Sequence, residues 1–243
     1  MRFLLLDIET TPLTAHTWGL FRQNISINQL LESTEMMCFG AKWLGEKRVI
    51  FKSVYHHGKD EMLNTLWDLM NEADVLVGWN SKAFDHKHIG REFIEAGINP
   101  PSPTRDLDLM LECKKRFRFP SYKLDYVAQR LGVGGKVKHS GFDLWLGCMA
   151  GKSNSWAEMR KYQIQDVELL VGMHDILKPW IKNYPNVSIN PHEPECTACA
   201  SPNLQKRGFE QTQTMRYQRY HCRDCGKWNR ARLGQSISAT RGI

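Results

Sequence analysis

The apolar run at residues 3–6 ends directly in two acidic positions, and this feature constrains the fold more than any other. Residues 2–8 predict a buried strand, because the run is bounded by acids and then by a Thr-Thr-Pro turn. Side chains two positions apart on a strand share a face, so Asp7 and Glu9 project together. Taken alone, the tripeptide Asp7-Ile8-Glu9 is explained as polar residues where a strand ends and a loop begins. A fully apolar run before it indicates a central strand, whose carboxyl end is where ligand sites of α/β sheets gather.

Hydrophobic periodicity in the rest of the first 180 residues predicts alternating helices and strands. Residues 37–44 and 48–54 are predicted to form a hairpin, and residues 74–78 a second buried strand. The predicted helices cover residues 59–72, 84–96, 124–131 and 155–177. This order indicates an α/β fold in which a mixed sheet has helices on both faces.

A third acidic residue, Asp85, follows the second buried strand, with Asn80 in the turn between them. It is a candidate for the same site as the first pair, or it only complements the dipole of the helix that it begins. His86 and His88 lie beside it. Imidazole is unusual in an oxygen-ligated magnesium site, so we expect neither histidine to bind metal.

The fourth acidic candidate is Asp166, one helical turn after Tyr162 on the same face of the long predicted helix. A carboxylate here can bind a divalent cation while the phenol orients water. Tyrosine ionises too far above neutral pH to be a good base, so orientation is the better role. The alternative is a core tyrosine beside a solvated aspartate.

Four of the seven cysteines form two Cys-x-x-Cys pairs separated by 22 residues, namely Cys196, Cys199, Cys222 and Cys225. Two such pairs predict a zinc ribbon with one structural Zn²⁺ ligated by four thiolates. Two disulfides or redox pairs are the alternative, which a reducing cytoplasm disfavours. Cys38, Cys113 and Cys148 lack partner spacing and are expected to be buried small hydrophobic residues.

Composition is that of a globular protein, with 42% hydrophobic and 24% charged residues and no apolar stretch of membrane-spanning length. We expect a cytoplasmic protein. We also expect a first domain at residues 1–183, a proline-punctuated linker at 184–194, the ribbon at 195–235 and a frayed tail at 236–243.

Positive charge is concentrated near the carboxyl end, where residues 190–243 hold nine Lys and Arg against four Asp and Glu. Cations alternate there with aromatic rings, which suits phosphate contacts and base stacking. The predicted nucleic-acid contacts are Arg216, Arg219, Lys227, Trp228 and Arg230. There are alternatives: the basic segment only aids solubility, or the ribbon binds a protein partner. The aromatic rings could instead fill the small core around zinc, and we expect this of at least one of Tyr220 and Trp228.

Three motifs in order resemble those of the DEDD 3′–5′ exonucleases, and the resemblance covers nearly all of residues 1–180. They are Asp7-Ile-Glu9, Asn80-x-x-x-Phe84-Asp85 and Tyr162-x-x-x-Asp166. The tyrosine is similar to that of the DEDDy branch, and in particular to the exonuclease domains of family-B DNA polymerases. Residues 121–132 also resemble the helix before the third motif there. Lys161 stands where the DEDDh branch has histidine, which disfavours that branch.

The resemblance implies a ribonuclease H-like fold with a five-stranded mixed sheet. It also implies two Mg²⁺ or Mn²⁺ ions held by Asp7, Glu9, Asp85 and Asp166, with Tyr162 aligning the attacking water. Glu9 would additionally anchor the terminal 3′ hydroxyl, and Asn80 would contact nucleic acid. The implied reaction is two-metal hydrolysis of single-stranded DNA or RNA from the 3′ end.

No polymerase segment follows the ribbon, so we expect either a free-standing exonuclease or a subunit that works beside a separate DNA polymerase or other replication protein. Small free-standing enzymes of this type, including phage-encoded ones acting in the host cytoplasm, are similar. The alternative is a non-catalytic nucleic-acid-binding or adaptor protein of replication or repair. An intact acidic set argues against it, because clustered carboxylates repel one another when no cation is bound.

Overall fold

The apolar amino-terminal run forms the centre of a five-stranded sheet in the computed structural model, which describes residues 1–135 and 137–241. The chain divides into two compact units, Met1–Met173 and His174–Ile243. The strands of the first unit are β1 (Phe3–Thr10), β2 (Thr14–Ala15), β3 (Leu30–Glu32), β4 (Met36–Trp43), β5 (Ile50–Ser53), β6 (Val75–Gly78) and β7 (Arg105–Asp108).

Seven helices accompany these strands among the described residues. They are α1 (Val54–His57), α2 (Lys59–Glu72), α3 (Asp85–Glu95), α4 (Leu109–Arg116), α5 (Leu124–Arg130), α6 (Phe142–Met149) and α7 (Ser153–Leu177), the last of which continues into the second unit. In α2 the buried residues recur at helical spacing, from Met62 through Leu66 to Met70. None of the helices among the described residues is both long and apolar enough to cross a membrane.

The large sheet has the order β5-β4-β1-β6-β7. β1 is antiparallel to β4 and parallel to β6, and β6 is parallel to β7. The predicted mixed five-stranded sheet flanked by helices is confirmed. β1 lies in its middle because all residues from Phe3 to Leu6 are buried on both faces.

The two faces of β1 have different roles. Leu4, Leu6 and Ile8 pack into a core that includes apolar residues of α2 and α3. Asp7 and Glu9 therefore project from the opposite face, because strand side chains alternate. On this second face Cys38 and its neighbours pack against buried residues of α6 and α7. Cys38, Cys113 and Cys148 are all buried thiols, as expected.

Six elements of the first unit were not predicted from the sequence, namely β2, β3, β7, α1, α4 and α6. β7 has the sequence Arg-Asp-Leu-Asp and lies at the edge of the sheet. Aspartate is uncommon in strands, so the two aspartates argue against a strand in the sequence. α4 begins where the carboxylate of Asp108 accepts a hydrogen bond from the backbone N–H of Leu111 at 3.1 Å. Such a cap satisfies an otherwise unpaired helix donor.

The second unit contains a small sheet built around one central strand. Its strands are β8 (Leu204–Gln211), β9 (Met215–Cys222), β10 (Trp228–Arg230) and β11 (Gln235–Ser236). β8 pairs with one edge of β9, and β10 and β11 pair with β9 in the same antiparallel sense. The predicted boundaries of the linker and tail stay predictions, and tail residues 242–243 lie outside the described part of the chain.

Candidate active site

Three carboxylates meet at the carboxyl end of β1. Asp7 and Glu9 lie on this strand, and Asp166 reaches them from α7. One oxygen from each of the three lies within 4.8 Å of the others, which suits ligation of a shared cation. Asp166 is buried, whereas Asp7 and Glu9 are half-buried. We call these three residues the carboxylate set.

A glycine allows α7 to approach the sheet at this point. Gly40 on β4 pairs with Asp7 on β1. A Cβ atom at position 40 would lie 2.8 Å from Cγ2 of Val167 and 3.0 Å from Cγ of Gln163. The space needed by any larger residue is already occupied by α7, so glycine sets the distance between Asp166 and β1.

Gln163 ties the helix to the strand and was not singled out from the sequence. Its side-chain amide donates to the backbone carbonyl of Asp7 at 2.6 Å and to Oδ2 of the same residue at 3.0 Å. Gln163 is fully buried. Its position three residues before Asp166 places both side chains on one helix face, which was the only sequence signal for this role.

Asp85 lies on the wall of the same cavity but outside the carboxylate set. It begins α3, is only 3% exposed, and its Oδ1 accepts a hydrogen bond from the backbone N–H of Ile8 at 3.1 Å. Burial raises the pKa of Asp85 to about 7, and the charge of Asp108 adds to this effect. The four predicted carboxylates thus line one cavity, with three of them in a close group and Asp85 outside that group.

Asp108 is a second residue missed from the sequence. Its carboxylate accepts backbone hydrogen bonds from Asn80 at 3.1 Å and from Lys82 at 3.3 Å. Asn80 has a φ of 66°, an uncommon value that these contacts help to hold. The turn carrying Asn80 is thereby fixed against the cavity, and its predicted contact with nucleic acid stays a prediction.

The cavity has a volume of about 600 Å³ and is lined by the carboxylate set, Asp85, Asn80 and residues 121–125. Neither neighbouring histidine belongs to this lining. His86 lies 3.4 Å from Asp106, and the ring of His88 packs on Phe84 at a centroid distance of 4.5 Å.

Tyr162 is a buried phenol next to the carboxylate set. Burial raises its pKa far above the ordinary value, and the charges of Glu9, Asp166 and Asp7 and a hydrogen bond with Asp166 act in the same direction. Its ring contacts His139 and Trp145 at centroid distances of 4.9 and 6.0 Å. Tyr162 therefore remains protonated at neutral pH and can act as a hydrogen-bond donor.

A second cavity borders Glu9. It has a volume of about 470 Å³ and is lined mainly by apolar surface, including Phe142 and Trp145 of α6 together with His139. Glu9 lines both cavities. This carboxylate is thus placed to contact a molecule that occupies either one.

A family model matches residues 4–177, a span that includes the residues lining both cavities. The chain belongs to the RNase_H superfamily. The predicted ribonuclease H-like fold is therefore confirmed. Membership of the RNase_H superfamily supports nuclease activity in general.

Solved structures give a likeness of fold to this RNase_H superfamily member. The structure of the family B DNA polymerase from the hyperthermophilic archaeon Pyrobaculum calidifontis superposes with a TM-score of 0.55 at 18% sequence identity. The match covers 74% of this chain and 25% of the polymerase chain, so the chain spans about a quarter of that protein. No curated protein matches the chain.

The second unit of this RNase_H superfamily member holds a cluster of four thiols. Cys196 and Cys225 have their Sγ atoms 3.5 Å apart, and Cys199 and Cys222 have theirs 3.7 Å apart. A tetrahedral zinc ion with Zn–S bonds of about 2.3 Å separates its sulfur ligands by about 3.8 Å. Gly226, directly after the last cysteine, has a φ of 78°. The cluster fits the predicted zinc ribbon.

The residues predicted to contact nucleic acid in the ribbon do not share one environment. Lys227 differs from the expectation, because it is 5% exposed and its ammonium donates to the backbone carbonyl of Ile181. This contact gives the buried ammonium a hydrogen-bond acceptor inside the second unit. Trp228 is 52% exposed, whereas Tyr220 is half-buried.

Proposed function

We propose that this chain is a metal-dependent 3′–5′ exonuclease of the DEDDy type that hydrolyses single-stranded DNA or RNA. The observation that carries the proposal is the approach of the three carboxylates to within 4.8 Å, with Asp85 lining the same cavity. Nuclease activity in general agrees with membership of the RNase_H superfamily. The resemblance of the three sequence motifs supports the exonuclease assignment.

The donor set fits a hard divalent cation. All of the candidate ligands are carboxylate oxygens, which Mg²⁺ and Mn²⁺ prefer. Asp7, Glu9 and Asp166 would hold one ion, and Asp85 would help to hold a second. When bound, such ions lower the pKa of the attacking water and stabilise negative charge on the reacting phosphate and leaving oxygen. Repulsion among the three carboxylates of the set favours occupancy by cations.

The protein's own groups would orient the reaction. Gln163 holds the carboxylate of Asp7 in place, and the phenol of Tyr162 is held beside Asp166. Because the pKa of Tyr162 is raised, its proton is retained, and the phenol would align water by hydrogen bonding rather than remove its proton.

The second cavity offers a place for the terminal base. Glu9 lies between the two cavities and would anchor the terminal 3′ hydroxyl, while the rings of Phe142 and Trp145 would cover the base. This arrangement would favour a strand end over an internal position. The sequence-independent character of stacking suits removal of any nucleotide.

In the ribbon we propose one structural Zn²⁺ ligated by Cys196, Cys199, Cys222 and Cys225. The sulfur separations of 3.5 and 3.7 Å support this set. Four thiolates leave no open position for a substrate, so this ion would stabilise the fold and take no part in hydrolysis.

Digestion of an end-labelled oligonucleotide tests the proposed activity. With Mg²⁺ or Mn²⁺, a 5′-labelled single strand should shorten one nucleotide at a time, and a 3′-labelled strand should release labelled mononucleotide at once. Asp166→Ala should abolish both results. Asp60→Ala makes the same change at an exposed position of α2 and should leave them unaltered.

Two results would contradict the proposal. Release of nucleotides from the 5′ end first would overturn its direction. Absence of any release from DNA or RNA, combined with no binding of Mg²⁺ or Mn²⁺ by calorimetry that depends on Asp166, would instead support a non-catalytic nucleic-acid-binding or adaptor protein.

A further inference from the structure

The two faces of the ribbon sheet carry different groups. Tyr220 and Cys222 lie on one face of β9, because strand side chains alternate, and Asn229 pairs with Tyr220 on the same face. Nδ2 of Asn229 lies 3.7 Å from Sγ of Cys196. This face is therefore directed at the thiol cluster, and the other face is directed away from it.

The face directed away from the thiols combines cations and rings, and we call it the outer ribbon face. It is formed by Tyr217, Arg219 and His221 of β9 with Trp228 and Arg230 of β10. The guanidinium of Arg230 lies 4.4 Å from the ring centroid of Tyr217, and that of Arg219 lies 5.7 Å from the ring of Trp228. The rings of His221 and Trp228 are 4.9 Å apart.

Two like charges oppose each other on this face. Arg219 and Arg230 are directly paired across β9 and β10. Like charges in directly opposed positions destabilise a sheet. Glu210 neutralises Arg230 through a 2.8 Å ion pair. Arg219 is exposed, and within residues 1–135 and 137–241 no ion pair involves it, so its charge is available to a bound anion.

We propose that the outer ribbon face binds single-stranded nucleic acid, with a base stacked on Trp228 and a phosphate on Arg219. Trp228 is 52% exposed, and a stacked base would remove its apolar ring surface from water. Arg219 is exposed beside it. The excess of basic residues in this unit favours a polyanion over a neutral protein surface.

The other predicted cations of the ribbon do not belong to this face. Arg216 is on the opposite face of β9, where its guanidinium lies 4.4 Å from the ring centroid of Phe209. Lys227 is buried. Arg216 therefore provides a control with the same charge on the wrong face. The inference rests on the proposed function for its substrate class, but not on hydrolysis.

Binding is tested by fluorescence anisotropy with a labelled 20-nucleotide oligo(dT) and the full chain. Every variant also carries Asp166→Asn, and no Mg²⁺ is added, so hydrolysis does not enter the measurement. Trp228→Ala should weaken binding by roughly 5- to 150-fold, the range expected when stacking worth about 1–3 kcal/mol per base is lost. Arg219→Ala should lower the slope of log Kd against log salt concentration by about 0.7.

The matched pair Arg219→Glu and Arg216→Glu decides whether position on the sheet matters. Arg219→Glu should weaken binding much more than Arg216→Glu, although both change the net charge equally. Zinc content and far-UV circular dichroism identify variants that have lost the fold. Equal losses in the pair, or an unchanged Kd in a folded Trp228→Ala protein, overturn the proposal. Because catalysis is absent from the assay, failure of the exonuclease proposal gives a separate result.

Discussion

Gln163 donates its side-chain amide to both the backbone carbonyl and the carboxylate of Asp7, at 2.6 and 3.0 Å. The two residues are 156 positions apart in the chain. Because Gln163 lies on α7, the same hydrogen bonds fix the helix that carries Asp166 against the strand that carries Asp7. The geometry of the carboxylate set thus depends on a neutral residue that ligates nothing in the proposed mechanism.

Gln163→Leu keeps the approximate volume of the side chain and removes both hydrogen bonds. We expect kcat to fall by roughly 100-fold, because a shift of about 1 Å at a reacting centre has this effect. The free energy of unfolding should fall by about 1–3 kcal/mol, since the partly buried Asp7 loses the two hydrogen bonds from Gln163. Steady-state digestion and urea denaturation measure the two quantities. Gln165→Leu, on a half-buried position of the same helix, is the control, and an equal loss of activity there would contradict the assigned role.

Gly40→Ala tests whether the close approach of α7 matters. The added methyl would lie 2.8 Å from Cγ2 of Val167 and 3.0 Å from Cγ of Gln163, so at least one of these neighbours must shift. Overpacking of this kind costs about 1–3 kcal/mol of stability, and we expect activity to fall together with stability. Gly90→Ala is the matched control, because a Cβ atom there meets open space. Gly90→Ala should raise the free energy of unfolding by about 0.5–1 kcal/mol, because alanine is more favourable than glycine inside a helix. Thermal unfolding and digestion rates are measured for both variants. If Gly40→Ala changed neither stability nor activity, the close approach of α7 would not require glycine at position 40.

The contrast between Asp7 and Gln163 shows which parts of the site were predictable. Strand alternation places Asp7 and Glu9 on one face, and helical spacing places Tyr162 and Asp166 on one face. These two pairs could be predicted because their members are close together in the sequence. Gln163 differs, because its role depends on a partner far away in the chain. A contact between residues that are far apart in the chain cannot be predicted from the local pattern of one sequence.

Gly40 and Asp108 were missed for the same physical reason. The glycine has no positive φ and no turn motif, and only the position of α7 explains it. Asp108 is the last residue of the short polar strand β7, whose identity depends on pairing with β6. The strand's four residues alternate too briefly for periodicity to identify them. The central strand β1, in contrast, was predictable because burial on both faces leaves a continuous apolar run.

Tyr162→Phe should lower kcat by roughly 10- to 100-fold and leave the pH dependence of kcat unchanged up to pH 10. The phenol's proton contributes a hydrogen bond, and its loss disturbs the alignment of the attacking water. Because burial holds the pKa of Tyr162 far above its ordinary value, no basic limb in the profile should come from this residue. Rates measured from pH 6 to pH 10 in both proteins test this. A basic limb present in the wild type and absent in the variant would show that Tyr162 titrates.

Cys222→Ser should release the zinc ion and unfold the ribbon. A structural zinc site contributes its binding energy to folding, so the loss of one of four thiolates removes much of that stabilisation. The wild-type chain should contain about one zinc per molecule by atomic absorption, in accordance with the one four-thiol cluster found among the described residues. Cys113→Ala removes a buried thiol outside the cluster and should keep its zinc. A wild-type chain purified without zinc, whose fold is unaffected by chelators, would contradict the prediction.

Asp85→Asn should stabilise the protein in the absence of divalent cations, by an amount that depends on pH. Burial raises the pKa of Asp85 from its ordinary 3.8 to about 7, so ionisation is unfavourable in the folded state relative to the unfolded state. Below about pH 4 the carboxyl is protonated in both states and adds no pH-dependent difference. Between about pH 4 and pH 7 the wild type progressively loses stability, and above pH 7 the loss is constant.

The melting temperature of Asp85→Asn minus that of the wild type should therefore increase from pH 4 to pH 7 and then level off. Asparagine keeps an acceptor for the backbone N–H of Ile8, so the 3.1 Å hydrogen bond need not be lost. Adding Mg²⁺ at pH 8 should reduce the difference, because a cation favours the ionised carboxylate of the wild type and has less to gain from the amide. Thermal melts at each pH, with and without Mg²⁺, provide the measurement. A difference that stays constant from pH 4 to pH 8 would contradict the raised pKa of Asp85 in the folded state.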